Sequence, residues 1–257
     1  MDPLRSVELT FIDAVRARRI LPERSKIIAA VSGGGDSVAL VRLLDRFSAH
    51  MNWELSVLHV DHGIRKDSSR DAAFVRALAE GMGLPCDVHV LKPHLSGSLE
   101  DLFSRERQRI YAESASNERL VATGHTADDR AETLIMRMME GAGPRGLGGM
   151  DYEGVGPVRR PLLDMTRKQL REYLDSLGQE WLADPTNRED DFLRNRIRHI
   201  ILPACLKYLP HCFRQIVSIN IGQRLGQRTC CHLYVNPAHL AQGFKHVILL
   251  VNTKSFC

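Results

Sequence analysis

Four times between Lys26 and Glu140 a short run rich in Val, Ile, Leu and Ala is followed by an amphipathic stretch of helical period. The runs are Lys26–Val31, Glu54–Val60, Cys86–Leu91 and Arg119–Thr123. The stretches between and after them centre on Ser37–Phe47, Asp71–Glu80, Leu99–Ser114 and Asp128–Glu140. A strand buried on both faces has no polar side to alternate with, so tight apolar strands spaced by helices predict a parallel sheet. The expected fold class is therefore α/β, a Rossmann-like parallel sheet with helices on both faces and a short helical segment after it. The functional site of such a fold lies in the loops at the carboxyl ends of the strands.

Around this unit the reading is coarser. Residues 1–25 look helical, with Leu4, Val7, Phe11 and Val15 on one face. Ser98 and Asp101 resemble a capping box ahead of the third helix of the repeat. Val155–Leu163 is expected to close the sheet, and Thr166 with Gln169 to form a second capping box. The helix it opens places Leu170, Tyr173, Leu174 and Leu177 on one side and Gly178 after its end. A basic helix over Phe192–Leu206 should halt at Pro203. The expected organisation is a helical segment over residues 1–25, a core domain with helical extension over 26–210, and a divergent basic tail over 211–257.

No apolar run reaches the roughly 18 residues of a membrane helix, and MDPLRSVELT lacks the apolar core of a secretory signal. The expectation is a cytoplasmic protein with no membrane partner. Its six cysteines form no CxxC pair, which leaves a zinc ribbon or redox motif unsupported. Charge is unevenly placed: the first 191 residues carry all 31 acids and a balance of −5, whereas the last 66 carry nine Lys or Arg and no acid. A basic segment on a mildly acidic body points to an anionic partner, nucleic acid first.

Four constellations carry chemistry. Ser32-Gly33-Gly34-Gly35-Asp36-Ser37 joins a strand to a helix. Its glycines admit an anion to backbone N–H groups, its hydroxyls can donate to phosphate oxygens, and the helix start adds positive potential. It lacks the GK[ST] ending of a Walker loop. An acid in a phosphate loop is explained if Asp36 holds Mg²⁺ against the polyphosphate, although a tight glycine turn capped by Asp36 has the same composition. The second constellation is Gly124-His125-Thr126-Ala127-Asp128-Asp129-Arg130-Ala131-Glu132-Thr133. Asp128 and Glu132 are four apart, on one helix face. They suit a metal or an amine substrate, or simply the dipole of a helix start. His59, Asp61, His62 and Arg65 end the second strand, in position for nucleotide or substrate contact, although a structural turn would have the same composition. Last come Arg145 within a glycine-rich loop, Arg160-Pro161-Leu162-Leu163, Asp184-Pro185-Thr186-Asn187 and Arg194-Asn195-Arg196-Ile197-Arg198. Arg194 and Arg198 share a helix face and can meet phosphates, or else form a solvated basic face.

The SGGxDS segment after a strand resembles the PP-loop of N-type ATP pyrophosphatases, and the fold it implies is adenine nucleotide alpha-hydrolase-like. Together with GHxxDDxAET, HVDHGIR and RNxIR before a Leu-Pro, the ordered blocks resemble the tRNA(Ile)-lysidine synthetases over about Lys26–Pro210. That resemblance implies ATP and Mg²⁺ as cofactors, and L-lysine and an isoleucine tRNA with a CAU anticodon as partners. ATP would adenylate C2 of the wobble cytidine, and lysine would displace AMP. By the same resemblance Ser32–Ser37, His59, Asp61, His62, Gly124 and His125 bind nucleotide, and Asp36 and Asp129 hold the metal. Asp36, Asp128, Asp129, Glu132 and Arg194 serve catalysis. Arg65, Arg145, Arg160, Asn195, Arg196 and Arg198 face the tRNA. Alternatives are a PP-loop tRNA thiolation enzyme, whose relatives need cysteine pairs, and an inactive nucleotide- or RNA-binding relative. A homodimer is left open. Residues 211–257 match no block of the family and are expected to be a truncated or frame-altered end.

Overall fold

The computed structural model describes residues 3–61, 68–91, 99–115, 118–143, 149–182 and 193–208. Five parallel strands form one sheet: β1 (Lys26–Ala30), β2 (Glu54–Asp61), β3 (Cys86–Val90), β4 (Leu120–Thr123) and β5 (Val158–Arg159). Their spatial order is β3-β2-β1-β4-β5. The register places Ile28 opposite Ser56 on one side and Val121 on the other. The order reverses direction between β1 and β4, and this is where a doubly wound sheet opens a crevice at its carboxyl edge.

Side-chain alternation along β1 assigns the two faces. Ile27, Ala29 and Val31 pack with α1 (Pro3–Arg18), α2 (Gly35–Met51), α3 (Ser68–Gly81) and α6 (Arg167–Ser176) in the larger core. Ile28, with Leu58 and Val121, packs with Ile110 of α4 (Leu99–Ser114) in a second cluster. The expected parallel sheet with helices on both faces is thus observed. α5 (Ala127–Met139) follows β4.

Three boundaries differ from expectation, each for a local reason. α1 ends at Arg18 rather than running to residue 25, because Arg19 turns left-handed (φ 51°). The N–H groups of Arg19 and Ile20 then close onto Arg16 and Val15, which is a Schellman ending without its usual glycine. The closing strand is only Val158–Arg159, since Gly154 and Glu153 fold back on the same residues. Third, the basic helix does not halt at Pro203. α7 (Leu193–Arg196) passes through a π-helical turn (Ile197–Ile201) into α8 (Leu202–Tyr208). Leu202 N–H bonds five residues back to Ile197, and that wider turn relieves the clash a proline ring makes with the carbonyl four residues earlier.

The capping box at α6 is present as expected. The Thr166 side chain accepts from Gln169 N–H, and the Gln169 side chain accepts from Thr166 N–H. Ser98 and residues 209–257 lie outside the described residues. The described residues fall into two compact units, one within Met1–Arg130 and Met150–Glu189, the other within Ala131–Gly149 and Asp190–Cys257. The boundary therefore passes along α5. No described helix is long and apolar enough to cross a membrane.

Candidate functional site

The glycine loop leaves β1 at the switch point and opens α2. Gly33 adopts φ +92°, a conformation that a side chain strains. Gly34 is the extended N-cap of α2. Two hydroxyls fasten the turn: Ser37 Oγ donates to Gly34 O at 2.9 Å and accepts from Ser32 N–H at 3.1 Å. The Ser32 and Ser37 hydroxyls lie 3.2 Å apart. The N–H groups of a helix's first turn have no acceptor within the helix, so the start of α2 is a place for an anion.

The loop following β4 is pressed against it. A Cβ on Gly124 would lie 3.1 Å from Ser37 N and 3.2 Å from Asp36 O, both backbone atoms that cannot swing aside. Gly124 is therefore needed for the approach of the two loops. Beyond it, Thr126 caps α5: its N–H and its hydroxyl both donate to Asp129 Oδ2 at 2.8 Å. Thr126 is fully buried and Asp129 nearly so. One carboxylate oxygen of Asp129 thus serves the helix start, as first-turn acids do. The other accepts from Arg167 Nη2 at 2.5 Å.

Arg167 is the residue the sequence reading missed. It opens α6, its Nε lies 3.4 Å from Asp36 Oδ2, and its own backbone N–H donates to Asp128 Oδ2 at 2.8 Å. Three aspartates from two strand–helix junctions thus meet at the first residue of one helix. The sequence offered only a weak signal: a cation in the first turn opposes the helix dipole, a feature that the exposed Lys168 beside it shares. Burial pushes the Asp36 carboxyl up to about 6; the Arg167 guanidinium pulls it down and Asp129 pushes it up. The glycine loop is also braced from beneath, another contribution that the sequence reading did not include. Leu182 N–H donates to Gly33 O at 2.9 Å, and a Cβ on Gly35 would lie 3.3 Å from the Trp181 ring.

The other predicted residues divide. His59 is buried, with Nδ1 2.8 Å from Val31 O, and Asp61 ends β2 with little exposure. His125 Nδ1 lies 2.9 Å from Thr123 Oγ1. Arg160 donates to Asp151 O at 2.8 Å, and its buried Nε has no hydrogen-bond partner. Burial lowers its pKa. His62, Arg65, Arg145 and the Asp184–Asn187 block lie outside the described residues. In the second unit, Glu132 is wholly buried and receives both predicted arginines. Arg198 is bidentate to it at 2.8 and 3.1 Å, and Arg194 Nε reaches Oε2 at 3.1 Å. Glu132 belongs to the second unit and Asp128 to the first, although they share a helix. Asn195 is buried and Arg196 exposed.

Comparison with known proteins decides the family. A model described as a PP-loop domain matches residues 9–205. This chain belongs to the PP-loop family. The PP-loop protein is 41% identical to the tRNA(Ile)-lysidine synthase of Symbiobacterium thermophilum, over 79% of this chain and 44% of that one. It is 36% identical to the enzyme of that name from Thermus thermophilus, over 80% and 41%. The Synechococcus protein of that name is 34% identical, over 79% and 64%. The PP-loop protein therefore spans less than two thirds of each of these relatives. In structure it is similar to the U34-tRNA thiolase NcsA of Methanococcus maripaludis, with a TM-score of 0.70 at 18% identity, covering 88% of this chain and 81% of that one. That likeness is one of fold.

Proposed function

We propose that this chain is the nucleotide-binding and adenylating part of a cytoplasmic tRNA(Ile)-lysidine synthase, with residues 26–210 as its PP-loop domain and helical extension. The observation that carries the reading is the convergence of the glycine loop, Gly124 and the Asp36–Arg167–Asp129 cluster at the switch point. The identity to lysidine synthases supports the choice of substrate. The loop after β1 and the start of α2 would hold the ATP polyphosphate. The C2 oxygen of the wobble cytidine would attack the α-phosphorus, and the bond to the β-phosphate oxygen would break with release of pyrophosphate. The ε-amine of L-lysine, having lost a proton, would then attack C2 and expel AMP.

Among the described residues no three His, Cys, Asp or Glu converge as a metal cage. Mg²⁺ does not require one: it binds through one or two carboxylates plus phosphates and water. Asp36 and Asp129, already drawn to a single cation, fit that donor set, and they would hold it. When bound, the ion supplies neutralisation of charge on the departing pyrophosphate. Asp128 would orient the start of α6 at the site. Glu132, with Arg194 and Arg198, would serve lysine or tRNA, and Asn195, Arg196, Arg160, Arg65 and Arg145 would serve the tRNA.

The test is transfer of radiolabelled lysine to unmodified isoleucine tRNA with a CAU anticodon, with ATP and Mg²⁺. Incorporation that is lost in Asp36→Ala is the expected result. ATP binding without incorporation into any tRNA would leave a nucleotide-binding relative instead. The thiolation alternative gains nothing from Cys86 and Cys205, whose thiols burial pushes up, away from the reactive thiolate.

A further inference from the structure

Arg167 has no role in the reading above except as a partner of the aspartates, yet its placement is costly. A guanidinium at the first residue of a helix opposes the dipole, and it is held there on two carboxylates, Asp36 and Asp129, from the two loops that bound the crevice, while Asp128 accepts the backbone N–H. Its side chain is only 13% exposed. A divalent cation bound between Asp36 and Asp129 would compete with it for the same oxygens. A guanidinium so displaced, beside the start of α2, faces the place where a polyphosphate would lie. Its planar fork of donors matches phosphate oxygens bidentately.

We propose that Arg167 is a resident counter-ion of the PP-loop site, which holds Asp36 and Asp129 together before nucleotide binds and transfers its hydrogen bonds to the ATP polyphosphate as Mg²⁺ takes the carboxylates. The proposal rests on the nucleotide reading of this site but not on lysine or tRNA as substrates. Arg167 is a positioning residue before binding and a phosphate ligand after it. In the exchange a dication replaces the singly charged guanidinium on the carboxylates, and the surplus positive charge, with the freed guanidinium, is met by the polyphosphate anion.

This makes two predictions of opposite sign for one substitution. In Arg167→Gln, Mn²⁺ binding in the absence of nucleotide, followed by the paramagnetic signal of free Mn²⁺, should tighten, because the competing cation is gone. ATP affinity, measured by calorimetry with Mg²⁺ present, should weaken about tenfold or more, as loss of a charged hydrogen-bond partner implies. Arg167→Lys should recover part of the ATP affinity. A merely structural Arg167 would weaken both ligands together, and that outcome, or no change in either, overturns the proposal. Wild-type protein that binds no ATP would overturn this proposal and the nucleotide reading together. Normal ATP and Mn²⁺ behaviour without lysine transfer would overturn only the substrate assignment.

Discussion

Asp36 illustrates how a buried carboxyl weighs on the protein's stability. Its carboxyl titrates near 6 instead of 3.8, chiefly because burial disfavours the charged form. A folded-state pKa above the unfolded value means that the native state binds the extra proton between the two. Stability is therefore highest below about pH 4 as far as this group is concerned, and it is lost as pH rises towards 6. The side chain keeps 29% of its exposure, so solvent screening reduces the effect to about 1–2 kcal/mol. Asp36→Asn should accordingly raise the urea midpoint of the nucleotide-free protein at pH 7 and make no difference at pH 4. Equal shifts at both pH values would show that the carboxyl titrates normally. The glycine loop, Asp36 and the Gly124 segment were legible in the sequence because each is a local pattern with a local reason. Arg167 was not, since its partners are 38 to 131 residues away. Only its misfit with the dipole of its own helix marked it, and weakly.

At the scale of elements, what propensity and capping dictate came through best. The Thr166 and Gln169 box opens α6 where expected, and four strand–helix pairs stand in order. The failures arose where one element's fate depended on geometry outside its own sequence. Pro203 reads as a stop until a π turn accommodates it, and β5 shrinks because its flanking residues fold back on it. Within the second unit, Glu132 of α5 joins α7 and the π turn through Arg194 and Arg198. A charge with no exposure that holds two partly exposed arginines is costly to remove on one side only. Glu132→Ala should cost about 3 kcal/mol, and Arg194→Ala about 1 kcal/mol, because Arg198 still satisfies the carboxylate. Hydrogen exchange of the α7–α8 amides provides the local measure. Loss of lysine transfer in Glu132→Ala with unchanged exchange would mean that the carboxylate serves substrate rather than structure.

For the molecule as a whole, parallel pairing imposes an order in time as well as in space. β1 and β2 are neighbours in sequence, whereas β4 reaches β1 across two intervening strand–helix units. The glycine loop follows β1 directly, yet Gly33 is fastened by Leu182, a residue 149 positions downstream. Arg167 reaches back across a comparable span to Asp36. Contacts so distant close late, because loop entropy must be overcome before they contribute. In refolding followed by pulsed hydrogen exchange, the Leu182 amide should gain protection after the amides of Ile27–Ala30. Simultaneous protection would indicate that the brace forms with the sheet. A growing chain would hold its glycine loop almost from the start of synthesis, but could not brace it until the stretch around Leu182 had emerged. Half-made copies would then have little means to capture an anion at a loop not yet shaped to hold one.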